Sequence, residues 1–271
     1  SGGDALENGT QSVTITITDN ESAPTVTLAR SAAAIDENSS STVTITATLS
    51  NATYQDVTVS IGASGGTEGT DYATISDITI SAGSTTGTTS LDPTDDSVYE
   101  DDEAVTVTID GVSGGSASES GSQSVTITIT ENESAPTVTL ARSAASIAEN
   151  SGSTVTLTAT LSIKVDEAVT VALSTSGAAT EGTDYGTISD ITVSAGATTG
   201  TATFDPTDDS VYEDDEAATI AIDSVSGGGA SESGSQSVAV TITENESEPT
   251  VTLTTSATSI AENAGSSLTL T

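Results

Sequence analysis

The sequence predicts an all-β protein made of tandem, seven-stranded, immunoglobulin-like antiparallel β-sandwiches. Two observations predict it: a long internal repeat, and short segments in which Val or Ile alternates with Thr or Ser. Such alternation is typical of half-buried strands, and no segment has the period of a helix. The chain has 271 residues, which is too long for one sandwich and indicates two or three domains.

The internal repeat predicts the domain organisation. Ala23–Ser31 recurs as Ala135–Ser143 and, in part, as Glu248–Leu253, while Asp92–Ala104 recurs without a change as Asp205–Ala217. A period of roughly 110 residues is longer than a solenoid unit and indicates an array of domains. The predicted segments are the tail of a preceding repeat at 1–22, whole repeats at 23–134 and 135–247, and the beginning of a further repeat at 248–271.

Each whole repeat contains about seven segments with strand character, separated by turns rich in Gly, Ser, Asn and Asp. Seven short antiparallel strands in a domain of this size form an immunoglobulin-like sandwich. The apolar residues of these segments are expected to face an aliphatic core, joined by Tyr72, Tyr99, Tyr185 and Tyr212 as packing residues. In the first whole repeat the predicted strands are 24–28, 41–50, 57–61, 75–80, 87–91, 104–109 and 124–130.

Composition excludes several classes of function. Forty acidic residues face three basic ones (Arg30, Arg142 and Lys164), and the formal net charge is −37. Such a chain cannot neutralise phosphates, so nucleic acid and anionic membrane surfaces are excluded as partners. No apolar segment is long enough for membrane insertion. No signal peptide is visible and the sequence begins within a repeat, so we expect an internal segment of a longer chain.

The chain contains no Cys, His, Met or Trp. Disulfides, thiol nucleophiles, imidazole bases and the usual zinc ligands are therefore missing. No base stands near the many Ser and Thr residues, and a glycosidase using paired carboxylates would lack a tryptophan for sugar stacking. We predict that the protein is not an enzyme.

The acidic residues concentrate at predicted strand ends. Carboxylates about 4 Å apart repel by roughly 4 kcal/mol near a protein surface, which favours a bound cation. Calcium binds six to eight oxygens and suits such clusters better than magnesium, which keeps its waters. Neither an EF-hand loop nor an RTX nonapeptide is present. The clusters are 36–37, 68–71, 95–103 and 131–133 in the first whole repeat, and 149, 181–184, 208–216 and 244–246 in the second.

A second interpretation of the acidic residues is a solvated surface that keeps a β-rich chain soluble. We favour it for the scattered acids, and we favour a metal for the run at 95–103. The scattered acids are Asp56, Asp77, Asp110, Glu119, Asp166 and Glu167.

Five motifs in a fixed order resemble the Calx-β domain. They are a Pro-x-Val first strand, a following Glu, a Gly-x-Asp-Tyr turn, an acidic run, and a last strand that ends in an acidic triad. In the first whole repeat they are 24–26, Glu37, 69–72, 95–103 and 125–133. In the second they are Pro136, Glu149, 182–185, 208–216 and 240–246.

The resemblance implies a sandwich that binds several Ca²⁺ ions at the pole where the last strand exits. The ligands it implies in the first whole repeat are Glu37, Asp71, Asp95, Asp96, the carbonyl of Val98, Glu100, Glu131 and Glu133. In the second they are Glu149, Asp184, Asp208, Asp209, the carbonyl of Val211, Glu213, Glu244 and Glu246. Bacterial members of the family occur in long secreted surface proteins, which implies an extracellular or cell-surface location.

The leading hypothesis is a structural array: an adhesin stalk, spacer or extracellular fibre that Ca²⁺ stiffens at its short domain junctions. Its expected partners are neighbouring repeats of the same chain, with lateral or end-to-end self-association left open and the adhesion target unknown. The alternatives are a calcium-sensing regulatory module, an acidic solubilising domain without specific metal binding, and a ligand-binding adhesin tip. Near-identical copies argue against sensing, and the lack of a distinct aromatic patch argues against a tip within these residues.

Overall fold

The computed structural model describes residues 2–4, 6, 8–18 and 20–271. They form two compact units. The first comprises the chain up to Asp95 together with Glu103–Thr130, and the second comprises Asp96–Asp102 together with Glu131–Thr271. All helix or strand structure among the described residues is β-strand, and none of them forms a helix that could span a membrane.

The first unit is a sandwich of two sheets. Its sheets have the strand orders β6-β3-β1-β9 and β2-β10-β8-β4-β5. Its strands are β1 (Thr25–Arg30), β2 (Ala34–Asp36), β3 (Val43–Leu49), β4 (Val57–Ser64), β5 (Ile78–Ile80), β6 (Thr86–Leu91), β8 (Glu103–Ser113), β9 (Ser118–Glu119) and β10 (Ser124–Thr130), while β7 (Val98–Tyr99) belongs to the second unit.

The second unit repeats this architecture. Its sheets have the orders β17-β13-β11-β19 and β12-β20-β18-β15-β16, and β14 pairs with β7 in a small sheet of its own. Its further strands are β11 (Thr137–Arg142), β12 (Ser146–Ala148), β13 (Val155–Leu161), β14 (Lys164–Val165), β15 (Val169–Gly177), β16 (Ile191–Val193), β17 (Thr199–Phe204), β18 (Glu216–Ser226), β19 (Ser231–Glu232) and β20 (Ser237–Thr243).

The predicted fold class is confirmed, with two strands per sandwich that the pattern did not show. The first predicted strand, 24–28, corresponds to β1, which pairs antiparallel with β3. The added strand β2 (Ala34–Asp36) lies beyond it and pairs parallel with β10 in the other sheet. The other addition, β9, pairs parallel with the beginning of β1. Both β2 and β9 are too short to show an alternation.

The core lies between the two sheets of each unit, and strand alternation places the residues that fill it. In β3 and β13 every second side chain is buried, as half-buried strands require. Most of the predicted inward residues of the first unit are buried, and Leu28, Ile61 and Val125 only in part.

The four tyrosines that were predicted to pack against the core differ in burial. Tyr72 and Tyr185 are buried, and the ring of Tyr185 stacks on Phe204 with centroids 4.7 Å apart. Tyr99 is partly buried against the core of the second unit. For Tyr212 the prediction is wrong, because its side chain is 37% exposed. Its environment, and not its sequence, differs from that of Tyr99.

The segments predicted as parts of further repeats contain no named strand among their described residues. Residues 1, 5, 7 and 19 of the predicted 1–22 tail lie outside the described residues. Val13 and Ile17 are exposed in that segment, and Val251 and Leu253 in the 248–271 segment. A strand-forming sequence needs a neighbouring strand to pair with, so the repeat motif alone does not order these residues.

Candidate metal centre

Three strand ends bring the acidic residues of the second unit to one pole. β12 runs parallel to β20, and β18 runs antiparallel to β20, with Glu216 opposite Ile242. The carboxyl ends of β12 and β20 therefore lie beside the amino end of β18. Glu149 follows β12, residues 244–246 follow β20, and the run at 208–215 leads into β18.

Glu149, Glu244 and Glu246 form the first carboxylate cluster. Each offers an oxygen that lies within 4.8 Å of the others. Glu149 is only 9% exposed, and its backbone N–H donates to the carbonyl of Thr243 at 3.1 Å. Its Oε1 accepts a hydrogen bond from the backbone N–H of Asp209 at 3.0 Å. The pairing of β12 with β20 therefore holds a buried carboxylate against the acidic exit turn.

The exit turn after β20 is organised around Glu244. Its Oε1 accepts the backbone N–H groups of Asn245 at 2.6 Å and Glu246 at 2.7 Å, and its Oε2 accepts that of Glu213. The hydrogen bond from Glu246, then that from Glu213, lowers the pKa of Glu244 to about 2. Glu244 is therefore an ionised carboxylate at neutral pH.

Glu246 shows the opposite behaviour. Its side-chain hydrogen bond with Glu244, then burial, then the charges of Glu244, Glu149 and Asp208 raise its pKa to about 7. Its Oε2 is buried and has no hydrogen-bond partner in the part of the chain that the structure describes. An acceptor without a donor among like charges is costly unless a cation or a proton satisfies it.

Asp184, Glu213 and Glu216 form a second cluster, again with oxygens within 4.8 Å of one another. Burial, and then the charge of Asp184, raises the pKa of Glu213. Burial, and then a hydrogen bond to Asp184, raises the pKa of Glu216. A cavity of about 10 Å³ joins the two clusters, lined by Glu149, Asp184, Thr207, Glu213, Asp214, Glu216, Ile242 and Glu244. Its volume is close to the space of a single water-sized species.

The structure brings together five of the predicted ligands of the second repeat and leaves three at the edge. The five are Glu149, Asp184, Glu213, Glu244 and Glu246. Asp208 and Asp209 are exposed, and Oδ1 of Asp209 accepts the backbone N–H of Val211 at 2.6 Å. The side chain of Val211 is exposed. Its carbonyl, and ligation by all eight, remain predictions.

Two further acidic residues lie at this pole. Both belong to the acidic run at 208–216 that the sequence singled out, but neither is among the ligands that the resemblance implied. Glu216 belongs to the second cluster, and Oδ1 of Asp215 accepts the backbone N–H of Glu244 at 3.0 Å. Both stand at the end of the acidic run, where the strand begins. The pairing of β18 with β20 is the signal that could have found them, since it places residue 216 beside the exit turn.

The first repeat shows the same local arrangements. Glu37 is 7% exposed, follows β2, and donates its backbone N–H to Thr130 at 3.0 Å. Asp71 accepts the backbone N–H of Thr67, and Asp96 accepts that of Val98 at 2.6 Å, while Asp95 is exposed.

The exit turn after β10 repeats the geometry around Glu244. Glu131 accepts the backbone N–H groups of Glu100, Asn132 and Glu133. Burial opposes ionisation of Glu131, but its hydrogen bonds with Glu133, Glu100 and Asn132 lower its pKa. The acidic triad therefore folds in the same way in both copies.

Two family models match the chain. The Calx-beta domain model matches residues 131–246, and the LapA domain model matches residues 22–132. The two matches meet where the sequence repeat predicts a boundary. A comparison with curated proteins found no match.

Solved structures resemble the chain in part. The crystal structure of CBD12 from CALX1.2 is 15% identical, with 80% of this chain and 99% of that chain covered and a TM-score of 0.35. The apo form of the Calx CBD1 domain is 20% identical, with 41% and 99% covered and a TM-score of 0.35. Invasin, a bacterial integrin-binding protein, is 20% identical, with 91% and 45% covered and a TM-score of 0.38. Because these scores are below 0.5, the sandwich assignment depends on the strand pairing of this chain.

Proposed function

We propose that the chain is a calcium-binding structural segment of a cell-surface protein. The match of the Calx-beta domain model to residues 131–246 supports this proposal. The LapA and Calx-beta matches together are those of an adhesin-like β-domain protein. We assign it the role of an adhesin stalk or spacer, without enzymatic activity, in a secreted bacterial protein.

One observation carries the calcium assignment: Oε2 of Glu246 is buried and has no hydrogen-bond partner among the described residues, and Glu246 forms a cluster with Glu149 and Glu244. The second whole repeat has two basic residues, Arg142 in β11 and Lys164 in β14, and neither belongs to the strand ends that carry this cluster. A divalent cation is the species that satisfies all three carboxylates together.

The donor set fits calcium. The two clusters offer only oxygen atoms as ligands, and five of their six residues line the same small cavity. Those five are Glu149, Asp184, Glu213, Glu216 and Glu244. Calcium accepts six to eight oxygens in flexible geometry, whereas zinc and copper sites use the imidazole and thiolate ligands that the chain lacks. When bound, the ion would offset the mutual repulsion of these carboxylates, which otherwise destabilises the pole.

The structural role follows from chemistry and repetition. The chain lacks the side chains that enzymes most often use for proton transfer and covalent catalysis. Glu131 and Glu133 lie a few residues before Pro136, as Glu244 and Glu246 lie before Pro249. A connection this short, with a Pro that restricts its own φ and the preceding residue, has little freedom when its first part is held by an ion.

Thermal unfolding of the whole chain in calcium and in calcium-free buffer tests the proposal. We expect calcium to raise Tm, with an affinity on the order of 10⁻⁴–10⁻³ M, as is typical of extracellular modules. Binding to the native state stabilises it by about 2.7 kcal/mol at a hundredfold excess over Kd.

The substitution Glu246→Gln removes the charge that needs the ion and should abolish most of the calcium-dependent rise in the second unit. Glu167→Gln is the matched control, because Glu167 is exposed and belongs to neither cluster. The same Tm in calcium and in calcium-free buffer would exclude the metal site and leave the acidic residues as a solubilising surface. If Glu246→Gln and Glu167→Gln change the calcium-dependent rise in Tm equally, the ion does not bind at Glu246.

A further inference from the structure

The acidic run of the first repeat also supplies a strand to the second unit. Val98–Tyr99 form β7, which pairs parallel with β14, Val98 opposite Lys164 and Tyr99 opposite Val165. The segment Asp96–Asp102 belongs to the second unit although the chain on both sides of it belongs to the first. A pair of two-residue strands is weak by itself, so its side chains must contribute to holding it.

Tyr99 is the anchor of this strand. Its side chain packs against the core of the second unit, next to the turn that contains Gly229. A Cβ atom on Gly229 would lie 2.7 Å from Cε1 and 2.9 Å from the hydroxyl of Tyr99. Such distances are too short for non-bonded atoms, so the tyrosine occupies the space that the glycine leaves.

The first repeat shows that this turn does not need a glycine for its backbone. The position equivalent to Gly229 is Ser116, which has φ +53°, while Gly229 has φ +58°. Serine therefore adopts the same left-handed conformation at the equivalent position of the first repeat. The absence of a side chain at Gly229 therefore matters for the space that the ring of Tyr99 occupies, and less for the backbone conformation of the turn.

The second copy of the same segment is exposed. Asp205–Ala217 is identical to Asp92–Ala104, yet Val211 is 57% and Tyr212 37% exposed, and neither lies in a strand. The hydroxyl of Tyr212 donates to Asp214 at 3.4 Å, within its own segment. The same sequence therefore pairs with the edge of a sandwich in its first copy and is exposed in its second copy.

We propose that the Val-Tyr pair of the acidic run is a docking strand, and that Val211–Tyr212 is an interaction surface for another sandwich of this repeat type. The partner is identified by its chemistry: an edge with the Lys-Val pair of β14 and a glycine turn like that at Gly229. A lysine on that edge also offsets the charge of the acidic run, in a chain with only three basic residues.

The first test compares matched substitutions in the whole chain. Tyr99→Ala should lower the Tm of the second unit by on the order of 5 °C, because it removes an anchor from a small domain. Tyr212→Ala, in an identical segment without a partner, should leave Tm unchanged. Equal effects of the two substitutions would overturn the docking-strand assignment.

A double-mutant cycle isolates the contact. Gly229→Ser introduces the residue of the first repeat and should destabilise the second unit, because its Cβ meets the ring of Tyr99. In the Tyr99→Ala background the same change should lose most of its cost. An equal cost in both backgrounds would show that the turn itself needs glycine, and the assignment would be wrong.

The second test supplies a partner for Val211–Tyr212. Adding a copy of residues 159–247 after Thr271 completes the sandwich that residues 248–271 begin. In this longer chain Tyr212→Ala should now lower the Tm of the added sandwich, and the amides of residues 211 and 212 should become protected from hydrogen exchange. If Tyr212→Ala leaves the Tm of the added sandwich unchanged and the amides of residues 211 and 212 exchange freely, Val211–Tyr212 is not an interaction surface. If the added sandwich does not fold, the Tm values of Tyr99→Ala and Tyr212→Ala in the original chain still test whether Val98–Tyr99 is a docking strand.

Discussion

At the scale of single residues, Glu244 and Glu246 show how neighbouring carboxyl groups acquire opposite properties. Glu244 receives backbone N–H groups, which favour its charged form, and its pKa is about 2. Glu246 lies beside the negatively charged Glu244, and among the described residues its Oε2 accepts no hydrogen bond. Its pKa is about 7. The difference arises from the direction of the backbone N–H groups in one turn, since both are glutamates.

This pair predicts how the stability of the second unit depends on pH without calcium. Glu246 has a folded-state pKa of about 7 against an ordinary value of 4.5, so its protonated form stabilises the fold. That contribution is complete below pH 4.5 and is lost as pH rises through about 7. Glu244 is already ionised in this window, so its contribution stays constant. Tm in calcium-free buffer should therefore fall between pH 4.5 and about 7.

The same measurement with Glu246→Gln should give a flatter pH profile, because the titrating group is gone. In saturating calcium the direction should reverse, since the ion competes with the proton for Glu246 and binds more tightly at higher pH. A Tm that rises with pH in calcium-free buffer would contradict the assignment of the raised pKa to Glu246.

At the scale of strands, the short strand β12 helps to build the candidate site. Because β12 leaves the sheet of β11 and pairs parallel with β20, Glu149 reaches the exit turn. A single straight strand in the sheet of β13 could not place it there. A short strand that the alternation pattern did not reveal, β12, therefore positions the carboxylate of Glu149.

Gly200 in β17 is a second place where an element depends on one residue. β17 lies at the edge of one sheet and β16 at the edge of the other. A Cβ on Gly200 would lie 2.4 Å from the carbonyl oxygen of Thr192 in β16 and 2.8 Å from Cγ2 of Ile191. The absence of a side chain lets the two edges approach closely.

We predict that Gly200→Ala destabilises the second unit by about 1–3 kcal/mol, the usual cost of overpacking, measured by denaturant unfolding. Gly186→Ala is the matched control: it has no left-handed φ, and its nearest neighbour is the carbonyl oxygen of Asp205 at 4.0 Å. A similar loss of stability from both changes would show that chain entropy, and not the approach of β16, explains the effect.

At the scale of the whole molecule, each unit repeats one strand order, and each repeat ends in an acidic turn a few residues before a proline. If calcium holds that turn, its removal frees the beginning of the connection and lets the carboxylates repel one another. We therefore expect small-angle scattering of the chain to show a narrower distribution of the radius of gyration in calcium than in calcium-free buffer.

The same scattering measurement in high sodium chloride without calcium distinguishes binding of calcium by the carboxylates from general screening of their charges. Salt reduces general repulsion but supplies no ion that several carboxylates can share. A distribution that sodium chloride narrows as strongly as calcium would show that the clusters act only as a charged surface. An unchanged distribution in all three solutions would exclude an architectural role for calcium.

Local patterns in the sequence determined the seven predicted strands of each repeat, the repeat itself and the acidic strand ends, because alternation, turns and motifs depend on neighbouring residues. These patterns located the acidic clusters, and the resemblance to the Calx-β domain then implied Glu149, Asp184, Glu213, Glu244 and Glu246 as ligands. Tertiary structure alone decided that β2 and β12 change sheets and that Glu216 joins the site. It also decided that Tyr99 is docked while Tyr212, in an identical segment, is exposed. The physical reason is that burial and strand pairing depend on which distant segment is adjacent, and that information is absent from a residue's own neighbourhood.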